Sequence, residues 1–203
     1  MALSLTCIAL VAAGALAGVY MLTMAPIEAA MKAKQEAAIM QVLPEVEGLQ
    51  VAEAEDINGI TLYKAYVGEE WVGTAVEAST EGNMNMPFGG TFRLMVGFDK
   101  VGNVVNYVVL EQAETPGLGA LMVSWFKNAD KPGQNILGKN PATTEFSVSK
   151  DGGDVDAITA STITSRAFLE VVVRAYNAIA QQPMLIEATS GATQLTTEEG
   201  GLQ

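Results

Sequence analysis

The chain has 203 residues and a net charge of −12, with no histidine and a single cysteine, Cys7. The acidic balance argues against a nucleic-acid partner, because phosphate binding needs clustered lysine and arginine. Without histidine, and with one cysteine, the chain cannot build the usual zinc sites, an intrachain disulfide or a cysteine-ligated iron–sulfur cluster, so redox chemistry would need an organic cofactor or a partner.

The first predicted element is a transmembrane anchor over residues 1–25, embedded in membrane lipid. No side chain from Met1 to Ile27 is charged, and an apolar helix of this length crosses a hydrocarbon core of ~30 Å. A cleaved signal peptide is the alternative, but such peptides carry a basic n-region and a shorter apolar core. The lysines that follow the span are accompanied by glutamates, so charge alone does not orient it.

Residues 26–44 predict a helical stalk, because an apolar stripe runs among lysines and glutamates from Pro26 until Pro44 ends it. Residues 45–183 predict a folded domain that begins with short β-rich runs separated by turn residues. These runs are residues 59–67, 71–77, 91–98 and 103–110. Hairpin turns between successive runs predict an antiparallel sheet.

Helical patterns follow the strands. Residues 118–128 predict a short helix, residues 146–148 a further strand, and residues 163–181 an amphipathic helix. Residues 184–203 are rich in Thr, Ser, Glu and Gly and predict a flexible tail. The fold class that we expect is α+β: one N-terminal transmembrane helix, then an antiparallel-sheet domain with packed helices.

A hydroxyl-rich turn runs directly into the amphipathic helix. The segment from Asp156 to Ala167 reads Asp-Ala-Ile-Thr-Ala-Ser-Thr-Ile-Thr-Ser-Arg-Ala. The first N–H groups of a helix lack intrahelical partners, and the helix dipole favours negative charge there. This composition therefore suits the binding of an anionic group at the helix N-terminus.

A second motif, Glu-Thr-Pro-Gly-Leu-Gly at residues 114–119, lies between a predicted strand and a predicted helix. Pro116 and Gly117 favour a tight turn whose backbone groups can approach a ligand. Taken alone, the motif is more typical of an ordinary strand-to-helix loop with Glu114 or Thr115 near the cap.

The two motifs, in this order, resemble those of the FMN-binding domain family. In that family a phosphoester bond ties FMN to a threonine, and the pattern reads Asp-x-x-Ser/Thr-Gly-Ala-Thr-x-Thr. The matching positions are Asp156, Thr159, Thr162 and Thr164; Ala160 and Ser161 replace the usual Gly and Ala. With its apolar span, the chain resembles the G subunits of Rnf ion-translocating electron-transport complexes. The C subunits of sodium-pumping NADH:quinone reductases are a related match.

The resemblance implies that Thr162 carries covalent FMN. The hydroxyls of Thr159, Thr164 and Ser165, with helix N–H groups, would then hold the phosphate. The candidates for the isoalloxazine ring are Leu118 and Trp125 on its faces, Glu114 and Thr115 at its polar edge, and Gly117 in the turn. Core packing remains an equally good interpretation of Trp125.

Ser-Gly-Ala-Thr at residues 190–193 reproduces the centre of the pattern more closely. Its surroundings fit less well, because Glu187 stands at the aspartate position and no apolar helix follows Thr193. We therefore favour Thr162 as the attachment site.

The resemblance also implies a function. The chain would relay electrons through FMN within a membrane ion-translocating ferredoxin:NAD oxidoreductase, beside polytopic membrane subunits, and would not catalyse the overall reaction alone. Its soluble domain would lie on the extracytoplasmic side of the cell (inner) membrane. Two alternatives stay open: a cofactor-free, membrane-tethered assembly or binding subunit, and a free-standing extracytoplasmic flavoprotein carrier.

Overall fold

The computed structural model describes residues 2–57, 59–80 and 91–181. It divides into two compact units, one ending at Ala37 and the other starting at Ala38. The predicted tail 184–203, including the alternative attachment site Thr193, lies outside the described residues.

The first element, α1, is one helix of 41 residues over Ala2–Val42, with Pro26 inside it. The predicted anchor and stalk are therefore continuous in secondary structure. Leu, Ala and Met, which dominate its sequence, are strong helix formers. Its N-terminal part is apolar and long enough to cross a membrane, and no residue of its most apolar window is buried. These properties fit a single-pass membrane protein.

A six-stranded antiparallel sheet forms the centre of the second unit. Its strands are β1 (Leu49–Val51), β2 (Glu55–Ile57), β3 (Ile60–Val67), β4 (Glu70–Ser79), β5 (Phe92–Asp99) and β6 (Val104–Gln112). The order is β1-β3-β4-β5-β6, and β2 also pairs with β3. The four predicted strands and the predicted antiparallel arrangement are thus present, with small shifts in their bounds.

Each face of the sheet is covered differently. One face packs against α3 (Thr162–Ala180), whose Phe168 and Val172 lie in the larger hydrophobic core. The opposite face packs against the end of α1 through Val42. A Cβ on Gly97 would lie 1.7 Å from the Val42 carbonyl oxygen, so this close approach requires glycine. The expected α+β class is confirmed.

Two predicted elements differ from the structure. Residues 118–128 do not form one helix: a 3₁₀ turn, Gly119–Leu121, leads into a single helical turn, α2 (Met122–Trp125). Residues 146–148 contribute only one bridge, Val148 to Val155, because the chain turns away again at once. A second 3₁₀ turn covers Ser149–Asp151.

Candidate functional site

The hydroxyl-rich turn ends at a left-handed residue. Ala160 has a φ of +61°, and it is the one residue besides glycine with a positive φ in the described ranges. A Cβ in this region costs energy that glycine avoids. The position is the one that glycine occupies in the FMN-binding pattern, so the backbone keeps the glycine-type conformation although the residue has changed.

Ser165 closes this turn from inside the helix. Its hydroxyl donates to the Ser161 carbonyl at 2.9 Å and accepts from the Ile158 N–H at 2.9 Å, and the residue is fully buried. Both hydrogen bonds lie within the protein, so the structure gives Ser165 the local task of holding the turn against α3. Its predicted contact with a phosphate remains a prediction.

Thr162 is the first residue of α3 and is half-buried, whereas Thr159 is exposed in the turn. Ser161 makes no side-chain hydrogen bond to cap the helix, and the first turn of α3 contains no acidic residue. The N–H groups of this turn can therefore receive an anionic group. Such a group on Thr162 would lie at the positive end of a 19-residue helix.

The loop at residues 114–119 packs against the same first turn. Thr164 Oγ1 donates to Glu114 Oε2 at 3.0 Å. A Cβ on Gly119 would lie 2.2 Å from Glu114 Oε2 and 2.9 Å from Thr164 Oγ1, so glycine permits this approach. The two predicted site residues Glu114 and Thr164 therefore bind each other.

The tip of the loop stays accessible. Leu118 N–H and Ala120 N–H both donate to the Thr115 carbonyl, at 3.1 and 3.3 Å, and Gly117 adopts a φ of +75°. The side chains of Thr115 and Leu118 are exposed. The tip of the loop consequently offers one hydroxyl and one apolar side chain to a ligand.

Trp125 connects α2 to the motif. Its indole Nε1–H donates to the Asp156 carbonyl at 2.9 Å, and the side chain is half-buried. Part of the indole packs on the main core. The same ring is therefore a core contact and part of a cavity wall, and its predicted contact with a flavin remains a prediction.

A cavity of about 430 Å³ opens on the Trp125 side of the turn. It is lined by Trp125, Lys131, Gln134, Ser149, Lys150, Asp156, Ala157, Ile158, Thr159 and Ala160. Its volume lies within the range of small-molecule sites. The predicted site residues thus divide: Trp125 and Thr159 line this cavity, while Leu118 belongs to the loop that contacts Thr164 in the first turn of α3.

Sequence reasoning missed Lys131, Gln134 and Lys150. They lie in irregular parts of the chain that carry no recognisable motif. The only sequence signal that could have pointed to a binding site there is the presence of two lysines. Near them, Arg166 binds Asp151 with two hydrogen bonds of 2.6 and 2.7 Å. These hydrogen bonds lower the pKa of the Asp151 carboxyl.

The part of the chain that the structure describes contains no group of His, Cys, Asp and Glu residues that could hold a metal ion. The donor set of the cavity is instead typical of an organic ligand: an indole, two ammonium groups, a carboxamide and hydroxyls.

Comparison with known proteins identifies a domain at this site. Residues 88–177 match the FMN-binding domain family. The G subunit of the ion-translocating oxidoreductase complex of Haemophilus influenzae is 30% identical over 165 residues, which are 78% of either chain. The corresponding G subunit of Escherichia coli is 33% identical over 172 residues, covering 80% of this chain and 81% of that protein. This chain belongs to the family of these G subunits.

The FMN-binding domain match contains both motifs, the cavity lining and α3 up to residue 177. With the G subunit of Salmonella typhimurium, identity is 40% over 92 residues, 43% of either chain. FMN fits the chemistry of the site, because an uncapped helix N-terminus suits its phosphate and the cavity beside it has the size and polar lining that its ring needs. The resemblance to the FMN-binding domain family and to the G subunits is thereby confirmed.

Proposed function

We propose that this protein is the FMN-carrying electron-relay subunit of a membrane ion-translocating ferredoxin:NAD oxidoreductase. FMN is attached by a phosphoester bond between Thr162 Oγ1 and the flavin phosphate. One observation carries the proposal: Thr162 begins a helix without a side-chain cap, whose first turn contacts the loop at residues 114–119 and whose preceding residues line a cavity of about 430 Å³.

The residues of the site divide the work of holding FMN. The N–H groups in the first turn of α3 bind the phosphate, with the exposed Thr159 hydroxyl beside them. Trp125 and Leu118 provide apolar surface for the ring, Thr115 a hydroxyl for its polar edge, and Gly117 the turn that presents them. Glu114 and Thr164 hold the loop in place through their mutual hydrogen bond. FMN supplies the one-electron redox chemistry when it is bound.

Membrane attachment follows from α1. Its apolar part anchors the subunit beside the polytopic membrane subunits of the complex, and its soluble domain lies on the extracytoplasmic side. A phosphoester bond suits that location, because a flavin that dissociated there would be lost to the exterior. The names of the relatives, which are subunits of an ion-translocating oxidoreductase complex, support this assembly.

Two measurements test the function. Protein purified from its native membrane should keep flavin absorbance after denaturation and removal of small molecules, whereas Thr162→Ala protein should lose it. A colourless native protein would instead indicate a cofactor-free assembly subunit.

The flavin-bearing protein should also co-purify with polytopic membrane subunits in mild detergent; isolation without them would indicate a free-standing carrier.

A further inference from the structure

We propose that Lys131, Gln134 and Lys150 bind the pyrimidine edge of the flavin ring within the cavity and set its reduction potential. The inference rests on the proposed attachment of FMN to Thr162. No motif pointed to these three residues; they are assigned from the lining of the cavity.

The cavity carries positive charge in a strongly acidic protein. Its charged lining residues are Lys131, Lys150 and Asp156, so two cations face one anion in a chain whose net charge is −12. The Asp156 carboxylate already accepts a hydrogen bond from Ser149 Oγ at 3.2 Å. An electron-rich ligand is the chemistry that this balance favours.

The ammonium groups of Lys131 and Lys150 have no hydrogen-bond or ion-pair partner among the described residues. Across residues 2–57, 59–80 and 91–181, neither Lys131 nor Lys150 forms an ion pair or a side-chain hydrogen bond. Asp151, the sequence neighbour of Lys150, is held by both arms of Arg166. Both ammonium groups therefore remain available to a ligand in the cavity.

Gln134 adds a directional donor. The residue is only 6% exposed, and its Oε1 accepts a hydrogen bond from Asn128 Nδ2 at 3.2 Å. Its amide nitrogen has no partner among the described residues, while the side chain lines the cavity. This nitrogen is not one of the buried side-chain atoms that lack a partner, so it is accessible and can donate a hydrogen bond to a ligand acceptor in the cavity.

The flavin ring matches this donor set. Its pyrimidine edge presents two carbonyl oxygens, which accept hydrogen bonds from ammonium and carboxamide donors. Thr159 and Ala160 line the cavity and precede Thr162 by three and two residues, so the sugar-alcohol chain of FMN starts beside it. Trp125 is fixed by its bond to the Asp156 carbonyl and forms an aromatic wall.

Reduction adds electron density to the ring, and nearby cations favour that state. The test uses the full-length flavin-bearing protein in detergent, with Lys131→Gln, Lys150→Gln and the double variant. The expected result is retained covalent flavin and a more negative flavin potential in each single variant, more negative still in the double variant. Lys150→Arg, which keeps the charge, should stay closer to the unsubstituted potential than Lys150→Gln.

Lys100→Gln is the matched control, because Lys100, in the turn between β5 and β6, pairs with Glu70 at 2.9 Å and does not line the cavity. It should leave the potential unchanged. Unchanged potentials in all the lysine variants, with flavin retained, would overturn the inference while leaving the attachment intact. Absence of covalent flavin from the unsubstituted protein would instead overturn the proposed function, and this inference with it.

A second measurement does not depend on how the lysine variants fold. Amine acylation, read by mass spectrometry, compares flavin-bearing protein with flavin-free Thr162→Ala protein. Lys131 and Lys150 should be acylated several-fold more slowly when flavin is attached, whereas Lys100 should react equally in both. Equal acylation of Lys131 and Lys150 in the two proteins would show that the ring lies elsewhere.

Discussion

Thr164 donates a hydrogen bond to Glu114 across 3.0 Å, although 50 positions separate the two residues in sequence. The bond joins the loop at residues 114–119 to the first turn of α3, two residues after Thr162. The resemblance pointed to both side chains as flavin contacts. The structure makes them partners of each other, so they can also act on a flavin through the position of the loop; their direct contacts with a flavin remain predictions.

This partnership predicts a stability cost for Thr164→Val. Valine keeps the β-branched shape but leaves the half-buried Glu114 carboxylate without this donor. We expect the free energy of unfolding to fall by about 1–2 kcal/mol, measured by denaturant titration of the full chain in detergent. Thr164→Ser keeps the hydroxyl, so its free energy of unfolding should fall much less. An equal fall in the two variants would show that the hydrogen bond contributes little to stability.

Ala160→Gly should stabilise the protein. Alanine at positive φ costs roughly 1–2 kcal/mol, and the greater freedom of glycine in the unfolded chain returns about 0.5–1 kcal/mol of that. The expected gain in the free energy of unfolding is therefore about 0.5–1 kcal/mol. Ala142→Gly is the control, because Ala142 is exposed and has no positive φ. It should destabilise, and a similar loss in Ala160→Gly would contradict the left-handed conformation.

Ionisation of Tyr107 should destabilise the folded protein at alkaline pH. Its hydroxyl is buried and donates to the Met122 carbonyl at 2.6 Å, and burial raises the pKa of this hydroxyl above its usual range. A raised folded-state pKa contributes stability that is fully present below the unfolded-state pKa of about 10 and is lost as pH rises above it.

Tyr107→Phe is therefore expected to be less stable by about 1 kcal/mol at neutral pH. Above pH ~10 the difference from the unsubstituted protein should narrow. Lys127, which lies over the Tyr107 ring and whose pKa is lowered by burial, is present in both proteins, so the comparison isolates the hydroxyl. A difference that stays constant from pH 8 to about 11 would contradict the raised pKa.

Much of the fold could be predicted because its signals are local. Turn residues between β3 and β4 and between β5 and β6 separate β-rich runs that predict these strands, and the apolar stripe defines α3. The three-residue strands β1 and β2 carry no such signal, since only pairing with β3 makes them strands. The contact of Val42 with Gly97 is equally invisible in sequence, because it joins distant parts of the chain.

The candidate site divides in the same way. Its two motifs were recognisable because they resemble those of a known family, and because backbone conformation favours particular residue types there, as at Gly117. Lys131, Gln134 and Lys150 come from irregular chain whose course depends on tertiary contacts such as Trp125 with Asp156. No spacing rule links such residues, so they could not be predicted from sequence.

Thr115→Val tests the loop as part of the flavin site. The exposed Thr115 hydroxyl can reach a ligand, and valine removes it while keeping the side-chain shape. We expect attachment at Thr162 to persist and the flavin potential to shift by a few tens of millivolts, which corresponds to about 1 kcal/mol or less for one hydrogen bond. An unchanged potential and spectrum, with the same result for Leu118→Ala, would mean that the loop only shapes the fold.

Peptide mass mapping of protein from its native membrane tests the central claim most directly. The peptide that contains Thr162 should be heavier by one FMN less one water, and fragmentation should place the added mass on that threonine. Thr162→Ala protein should lose the modification, whereas Thr193→Ala protein should keep it. Flavin retained in Thr162→Ala, or lost only in Thr193→Ala, would contradict the assignment of Thr162 as the flavin attachment site.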